Sequence, residues 1–275
     1  SRSSLTHKKA SSQKAIRYIL NRSCYLVNTM LHVILLDSAI ELIPSEISSS
    51  KEIQKHAGRR GKKPIHMLLD QTHHGRAMTK LENSERRGRP DIAYHCLLSL
   101  LETPLCKEGL LTVNVHLQDG RIVEVNPSVR LPRNYDRFVG LIEQLLKEGR
   151  VPPDGAPLLT ITNHTLQELL SSLRGAADRN VSILFTLGGE RTSIDELSKI
   201  LPDDASVPVT IGVGAFSHGD LSQELKDEFE AHIELDKDMM MAWHICAEVI
   251  WMYSWRVGVV KSRYAQISLP ETNQK

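Results

Sequence analysis

Apolar and polar positions along the 275-residue chain fall into two rhythms. Residues 31–36 are apolar almost without a break, the pattern of a strand covered on both faces. Residues 45–64 are polar and read as a loop. Ile92, Cys96, Leu97, Leu100 and Leu101 then recur at helical spacing, with Pro104 closing the pattern. Residues 111–125 alternate on either side of Asp119-Gly120, which predicts a hairpin because both turn residues tolerate positive φ. A helix is predicted over 135–147, with Phe138, Leu141, Ile142 and Leu145 facing inward and Gly149 as its stop.

The second half beats differently. LLTIT (158–162) leads into a helix with capping-box spacing from Thr165 to Glu168, and VSILFT (181–186), PVTIGV (208–213) and HIEL (232–235) follow. Strands alternating with loops and helices imply an α/β protein with a parallel sheet. The last three strands run into LGGER, GAFSHGDLS and DKDMMMAW. Ligands in open α/β sheets collect at the carboxyl ends of strands, so these loops predict one pocket. Residues 239–260 are long enough to suggest a membrane span, but His244, Glu248 and Arg256 interrupt them, and a core helix is the reading.

Composition narrows the function. With 41% hydrophobic residues the chain can bury a full core, and with a net charge of +1 any nucleic-acid site has to come from local clustering. Such clusters exist. Lys51, Lys55, Arg59, Arg60, Lys62 and Lys63 crowd the 45–64 loop, either as a solvated charge run or as a phosphate-facing arm. The four cysteines (Cys24, Cys96, Cys106, Cys246) form no CxxC pair, which argues against a zinc knuckle and for buried thiols in a reducing compartment. Residues 1–29 are polar and basic, without a secretory apolar region or a methionine. They are read as a flexible extension, or as sequence upstream of the natural start, and carry no functional assignment.

Among residues that carry chemistry, Gly188, Gly189, Gly214 and Gly219 would admit a ligand close to the backbone or simply make turns. They do not match G-x-G-x-x-G, which disfavours a dinucleotide site. The run Met239-Met240-Met241 packs either into the core or against an adenine face. Arg130, Arg133 and Arg137 say more, because Arg137 falls in the first turn of a helix, where the dipole disfavours a cation. With Asn134 as the N-cap they make a phosphate site; the alternative is pairing with an internal carboxylate such as Asp136. In RRGRPD, Pro90 suits the first helical position and Asp91 the first turn. Asp91 therefore serves either the helix start or the orientation of Arg89. His95-Cys96 lies in a buried helix, His73 and His74 are expected as exposed loop residues, and no metal set or covalent nucleophile emerges.

RRGRPDIAYHCLLSLLETPLCKEGLL (86–111) and VNPSVRLPRNYDRFVGLIEQLL (125–146) resemble the nucleolar essential protein family, also called essential for mitotic growth. The resemblance extends to LLDSAIELIP (35–44), GAFSHGDLS (214–222) and MAW (241–243), covering most of residues 31–257 and leaving out the basic loop and both ends. It implies a SPOUT-type trefoil-knotted parallel sheet with helices on both faces and an inserted hairpin at about 105–127, within one domain over 30–270 and a short tail over 271–275. It also implies a homodimer that methylates the N1 atom of a pseudouridine in small-subunit ribosomal RNA with S-adenosylmethionine. By motif, Arg89, Arg130, Arg133 and Arg137 look like the RNA-contacting arginines, and Asp91 like the carboxylate that orients Arg89 and is a candidate proton acceptor. Leu187, Gly188, Gly214, Gly219, Leu235, Asp236, Lys237, Asp238, Met239, Met240 and Ala242 look like the cofactor loops. Met239 departs from the pattern, standing where a small residue is expected.

No membrane partner is expected, pre-ribosomal proteins are candidate partners, and the setting would be cytoplasmic in an archaeal cell or nucleolar in a eukaryotic one. A second reading, an RNA-binding assembly factor with a degraded cofactor pocket, draws on Met239 and the irregular first loop. A nicotinamide oxidoreductase would rest on glycine loops alone.

Overall fold

The structure, a computed structural model, describes residues 31–204 and 206–267; the 1–29 extension and the 271–275 tail lie outside them. Eight strands form one sheet: β1 Leu31–Ser38, β2 Leu111–Leu117, β3 Ile122–Val125, β4 Arg150–Val151, β5 Leu159–Thr162, β6 Val181–Arg191, β7 Val209–Gly214 and β8 Ala231–Glu234, in the order β4-β5-β3-β2-β1-β7-β6-β8. The helices are α1 Lys51–Arg60, α2 Gln71–Met78, α3 Pro90–Leu101, α4 Pro104–Lys107, α5 Tyr135–Glu148, α6 Leu166–Arg174, α7 Ile194–Ile200, α8 Gln223–Asp227, α9 Ala242–Arg256 and α10 Val259–Ile267.

β1 is the keystone, as its unbroken apolar run requires. Val33 and Leu35 point into the main core with α3, α5 and α9, while Ile34 and Leu36 meet Leu166, Leu169 and Leu173 of α6 on the other face. Helices therefore cover both faces. β1 pairs in parallel with β2 and β7, and β6 pairs in parallel with β7 and β8.

Three expectations change. The sheet is mixed, since β3, β5 and β4 continue it with antiparallel pairings. The hairpin around Gly120 (φ 85°) forms as predicted, but its first strand, β2, also pairs in parallel with β1 and so joins the central group. LLTIT becomes β5 beyond that hairpin, far from the strands that follow it in sequence.

The basic loop is a helix. Ser50 precedes α1, Gly61 ends it at φ 61°, and Ile53 and Ala57, one turn apart, drop into a small core with Ile47, Met67, Leu69 and Met78. Burial of that narrow stripe outweighs the polar majority of positions. His73 and His74 likewise sit on α2, with His74 fully buried. By contrast α5 matches its prediction closely: Asn134 Oδ1 accepts from the Arg137 N–H (3.1 Å), Phe138, Ile142 and Leu145 are buried, Leu141 is half-buried, and Gly149 stops the helix at φ 74°. The capping box between Thr165 and Glu168 is present. The apolar segment near the end is α9, broken from α10 at Gly258, and among the described residues no helix is long and apolar enough to cross a membrane.

Candidate functional site

The parallel strands present their carboxyl ends side by side, and the chain leaves each in a different way. β7 ends at Gly214 and opens into residues 215–222. β6 pairs with β8 twice, Phe185 and Glu190 both facing Ile233, so that residues 186–189 are thrown out as a bulge. Gly189 is required there, because a Cβ would lie 2.8 Å from the backbone of His232 and Ile233. The expected first loop is thus a strand excursion. Residues after β8 turn over Asp236, whose Oδ1 accepts from the Asp238 N–H (2.9 Å), and enter α9 at Ala242.

Together these three segments enclose a cavity of about 420 Å³. Leu187, Gly214, Gly219, Leu235, Asp236, Asp238, Met239, Met240 and Ala242 line it, as anticipated. Gly188 and Lys237 do not line it. The Gly188 amide instead donates to Glu234 Oε2 (2.6 Å), and this bond, with Arg191, holds the Glu234 carboxyl below its usual range. Met239 lies at the rim, 65% exposed, and leaves the cavity open.

The donor set fits S-adenosylmethionine. Val213, Phe185, Ile233 and Ala242 offer apolar wall for an adenine ring, while Asp220, Asp236 and Asp238 supply negative charge for an ammonium and a sulfonium. The Asp220 carboxyl is stabilised in its charged form against its partial burial by Lys226 and the Leu221 N–H.

Arg89 belongs to the wall of this same cavity. Its Nε and Nη2 each donate to Asp91, at 2.8 Å, and that pairing raises the guanidinium further above its ordinary value. Pro90 opens α3, so Asp91 also occupies the favourable first turn, and both readings of its role coexist in one geometry.

Arg86 is the residue that sequence reasoning passed over. It pairs with Asp37 (2.5 Å), donates to the Asp220 carbonyl (2.6 Å) and lies 4.0 Å above the Phe216 ring. The Glu85 carbonyl accepts from the Ser217 hydroxyl (2.6 Å), and a Cβ on Gly219 would fall 2.6 Å from Arg86 Nη1. Asp37 adopts φ 53°, a left-handed conformation uncommon for aspartate, at the end of β1. The 215–222 segment is thereby bolted to the segment that carries Arg89.

The second arginine group joins through tyrosines. Tyr94 of α3 donates to the Arg133 carbonyl (2.6 Å), and its ring stands 4.6 Å from that of Phe138. Tyr135 donates to Asp70 Oδ2 (2.7 Å), and burial followed by this bond raises the phenol's pKa strongly. Arg130, Arg133 and Arg137 are exposed, and among the described residues none pairs with a carboxylate, Asp136 included.

A cavity of this size at the carboxyl ends of parallel strands is the ligand site typical of α/β enzymes. Comparison with known proteins narrows the class. The model of the EMG1/NEP1 methyltransferase family matches residues 33–254. The chain is 42% identical over 219 residues to ribosomal RNA small subunit methyltransferase Nep1 of Staphylothermus marinus, covering 79% of this chain and 92% of that protein. It is 41% identical over 227 residues to the Pyrococcus furiosus protein of the same name, covering 82% and 97%. A crystal structure of Archaeoglobus fulgidus Nep1 bound to S-adenosylhomocysteine superposes with a TM-score of 0.71 at 34% identity, covering 84% of this chain and 98% of that one. The chain belongs to the EMG1/NEP1 methyltransferase family.

Proposed function

We propose that this enzyme methylates small-subunit ribosomal RNA at N1 of a pseudouridine, with Arg89, Arg130, Arg133 and Arg137 gripping the RNA. The observation that carries the reading is the shared wall: Arg89, fixed by Asp91, lines the cofactor cavity. A base drawn out of its stack against Arg89 would therefore lie beside the cofactor cavity.

Bound S-adenosylmethionine supplies an electrophilic methyl, and the chain supplies alignment. Pseudouridine carries an N1–H because its glycosidic bond is to carbon, so N1 could take the methyl as the S–CH3 bond breaks and give its proton to solvent water, with no cysteine nucleophile or metal needed for attack. Proximity is the main source of rate. Arg130, Arg133 and the N-capped start of α5 offer unpaired guanidinium groups and backbone N–H donors to phosphates. Asp91 orients Arg89, and the same pairing makes it a poor base, so its part in the reaction is positioning.

A homodimer with a trefoil knot accompanies this reading. Its support is family membership together with Trp251 and Trp255 of α9, which are 55% and 70% exposed. The archaeal relatives favour a cytoplasmic setting, with pre-ribosomal proteins as further partners.

Mass spectrometry of small-subunit rRNA nucleosides with and without the protein tests the reading. Loss of one N1-methylated pseudouridine is the expected result, and an unchanged nucleoside profile overturns it. The assembly-factor alternative is separated by calorimetric titration with S-adenosylmethionine, where absence of heat at millimolar cofactor would favour it.

A further inference from the structure

A second cavity, of about 460 Å³, lies where α1 and α2 meet the first turns of α5, with His56, Arg59, Arg60, His73 and Tyr135 in its walls. Its hydrogen-bond polarity can be traced from the backbone. The Asp70 N–H, which can donate but not accept, points at His74 Nδ1 (3.0 Å). Neutral His74 therefore carries its proton on Nε2, which lies 2.9 Å from His56 Nδ1. His56 accepts at Nδ1 and keeps its proton on Nε2. The relay ends as an N–H donor on a residue that lines the cavity. Burial holds His74 at about 4, which keeps this order in force at neutral pH.

The charges around it are unbalanced. Glu143, 3% exposed, accepts from Arg60 (2.5 and 3.1 Å), Lys62 (2.5 Å) and the Leu68 N–H (3.0 Å), so one carboxylate holds two cations in place. Glu52 is occupied by the Ala77 N–H, and the two oxygens of Asp70 by the Thr72 N–H and the Tyr135 hydroxyl. Asp136 alone among the lining acids has no such partner. Lys51, Lys55, Arg59 and Lys63 are exposed and, among the described residues, pair with no carboxylate. Lys55 and Arg59 stand one turn apart on the same face of α1.

A fixed N–H donor and cations that outnumber the nearby unengaged carboxylate, Asp136, describe a site for a phosphate oxygen. Tyr135 connects it to the proposed arginine grip, since this residue forms the cavity wall and also stands between Arg133 and Arg137. We propose that the groove between α1 and α5 is a second backbone-phosphate site for the same RNA, reached across Tyr135, with Arg59 and His56 Nε2–H as its donors. Lys55 would meet the next phosphate along. The proposal rests on the RNA reading above and extends the interface onto a helix whose basic residues that reading leaves unused.

The test is fluorescence anisotropy of a labelled small-subunit rRNA stem-loop against salt, on the full-length protein. Arg59→Ala is expected to weaken binding and to reduce the slope of log K against log salt by about one unit, and Arg59→Glu to do so further. His56→Gln, which retains an amide donor near the Nε2 position, should bind within about twofold of wild type, whereas His56→Phe should lose severalfold. Arg133→Ala is the control for the arginine grip proposed above. If Arg133→Ala lowers the slope and both Arg59 variants leave it unchanged, the groove proposal is overturned while the RNA reading stands. If neither changes it, the RNA reading itself falls. A further arm titrates inorganic phosphate, followed by His56 and His73 imidazole NMR shifts. Phosphate binding abolished by Arg59→Glu with RNA affinity intact would assign the groove to a free anion and refute the RNA role.

Discussion

Replacing Asp91 by asparagine separates the two roles that its position combines. The carboxylate sits in the first turn of α3 and also takes two hydrogen bonds from Arg89, with 29% and 34% of the paired side chains exposed. Partial exposure screens the pair, so its net worth is about 0.5–1 kcal/mol, and the helix-start contribution is about 0.3–1 kcal/mol. Asp91→Asn should therefore destabilise by about 1–2 kcal/mol, a fall in Tm of a few degrees for a chain of this size, at about 2–4 °C per kcal/mol.

RNA affinity responds with an informative sign. Removing a negative charge from an RNA-binding surface should by itself strengthen attraction to phosphate. A freed Arg89 must instead be ordered on binding, which costs about 0.5–1.5 kcal/mol, or roughly 2–12-fold in Kd. Loss of affinity thus identifies the orienting role. Anisotropy on wild type, Asp91→Asn, Arg89→Ala and the double variant completes a cycle, in which Asp91→Asn should cost nothing once Arg89 is gone. An Asp91→Asn protein that binds RNA as well as wild type, or one that loses as much in the Arg89→Ala background, would refute the reasoning.

Three further outcomes follow from other parts of the molecule. Gly212→Ala should destabilise by about 1–3 kcal/mol, because its Cβ would lie 2.6 Å from Phe229 Cζ and 2.8 Å from Leu36 Cδ1 in a packed core; urea unfolding that matches wild type would contradict this packing. Burial lowers the His32 pKa to about 4, so between 4 and 6.5 the unfolded chain binds the extra proton and stability falls with falling pH. From pH 6.5 to 5 this residue's contribution should drop by about 2 kcal/mol, and a His32→Gln protein should lack that component of the slope. Met239→Gly should change the Kd for S-adenosylmethionine by less than about fivefold, since truncating a side chain that is 65% exposed removes at most about 1 kcal/mol of burial; a tenfold gain in calorimetry would show that Met239 obstructs the cavity.

Local signals were readable in the sequence, and the relations between distant segments were not. α5 could be placed because its cap Asn134, its apolar stripe and its stop Gly149 lie within one stretch of chain. α1 could not, because two buried positions, Ile53 and Ala57, hold it against a core built from residues up to Leu81. Turn chemistry at Asp119-Gly120 identified a hairpin, yet nothing in those residues shows that β2 pairs in parallel with β1 on its other edge. Glu143 reads as a surface residue of an amphipathic helix until Arg60 and Lys62 close over it.

The same limit explains Arg86. RRGRPD drew notice for Arg89 and Asp91, whose partnership spans two positions, whereas Arg86 reaches the Asp220 carbonyl 134 residues away. Its contacts change what the two arginine segments mean. The loop that forms one wall of the cofactor cavity hangs on Arg86, while Arg89, three residues on, forms another, and α3 carries the grip onward through Tyr94 to Arg133. The cavity wall and the proposed RNA grip are thus built on one short segment. A shift of that segment on RNA binding would move the cavity wall, which would couple the two proposed sites. For the proposed acceptor, a base nitrogen drawn from its stack, such coupling favours in-line transfer, since a misplacement of about 1 Å costs on the order of 100-fold in rate.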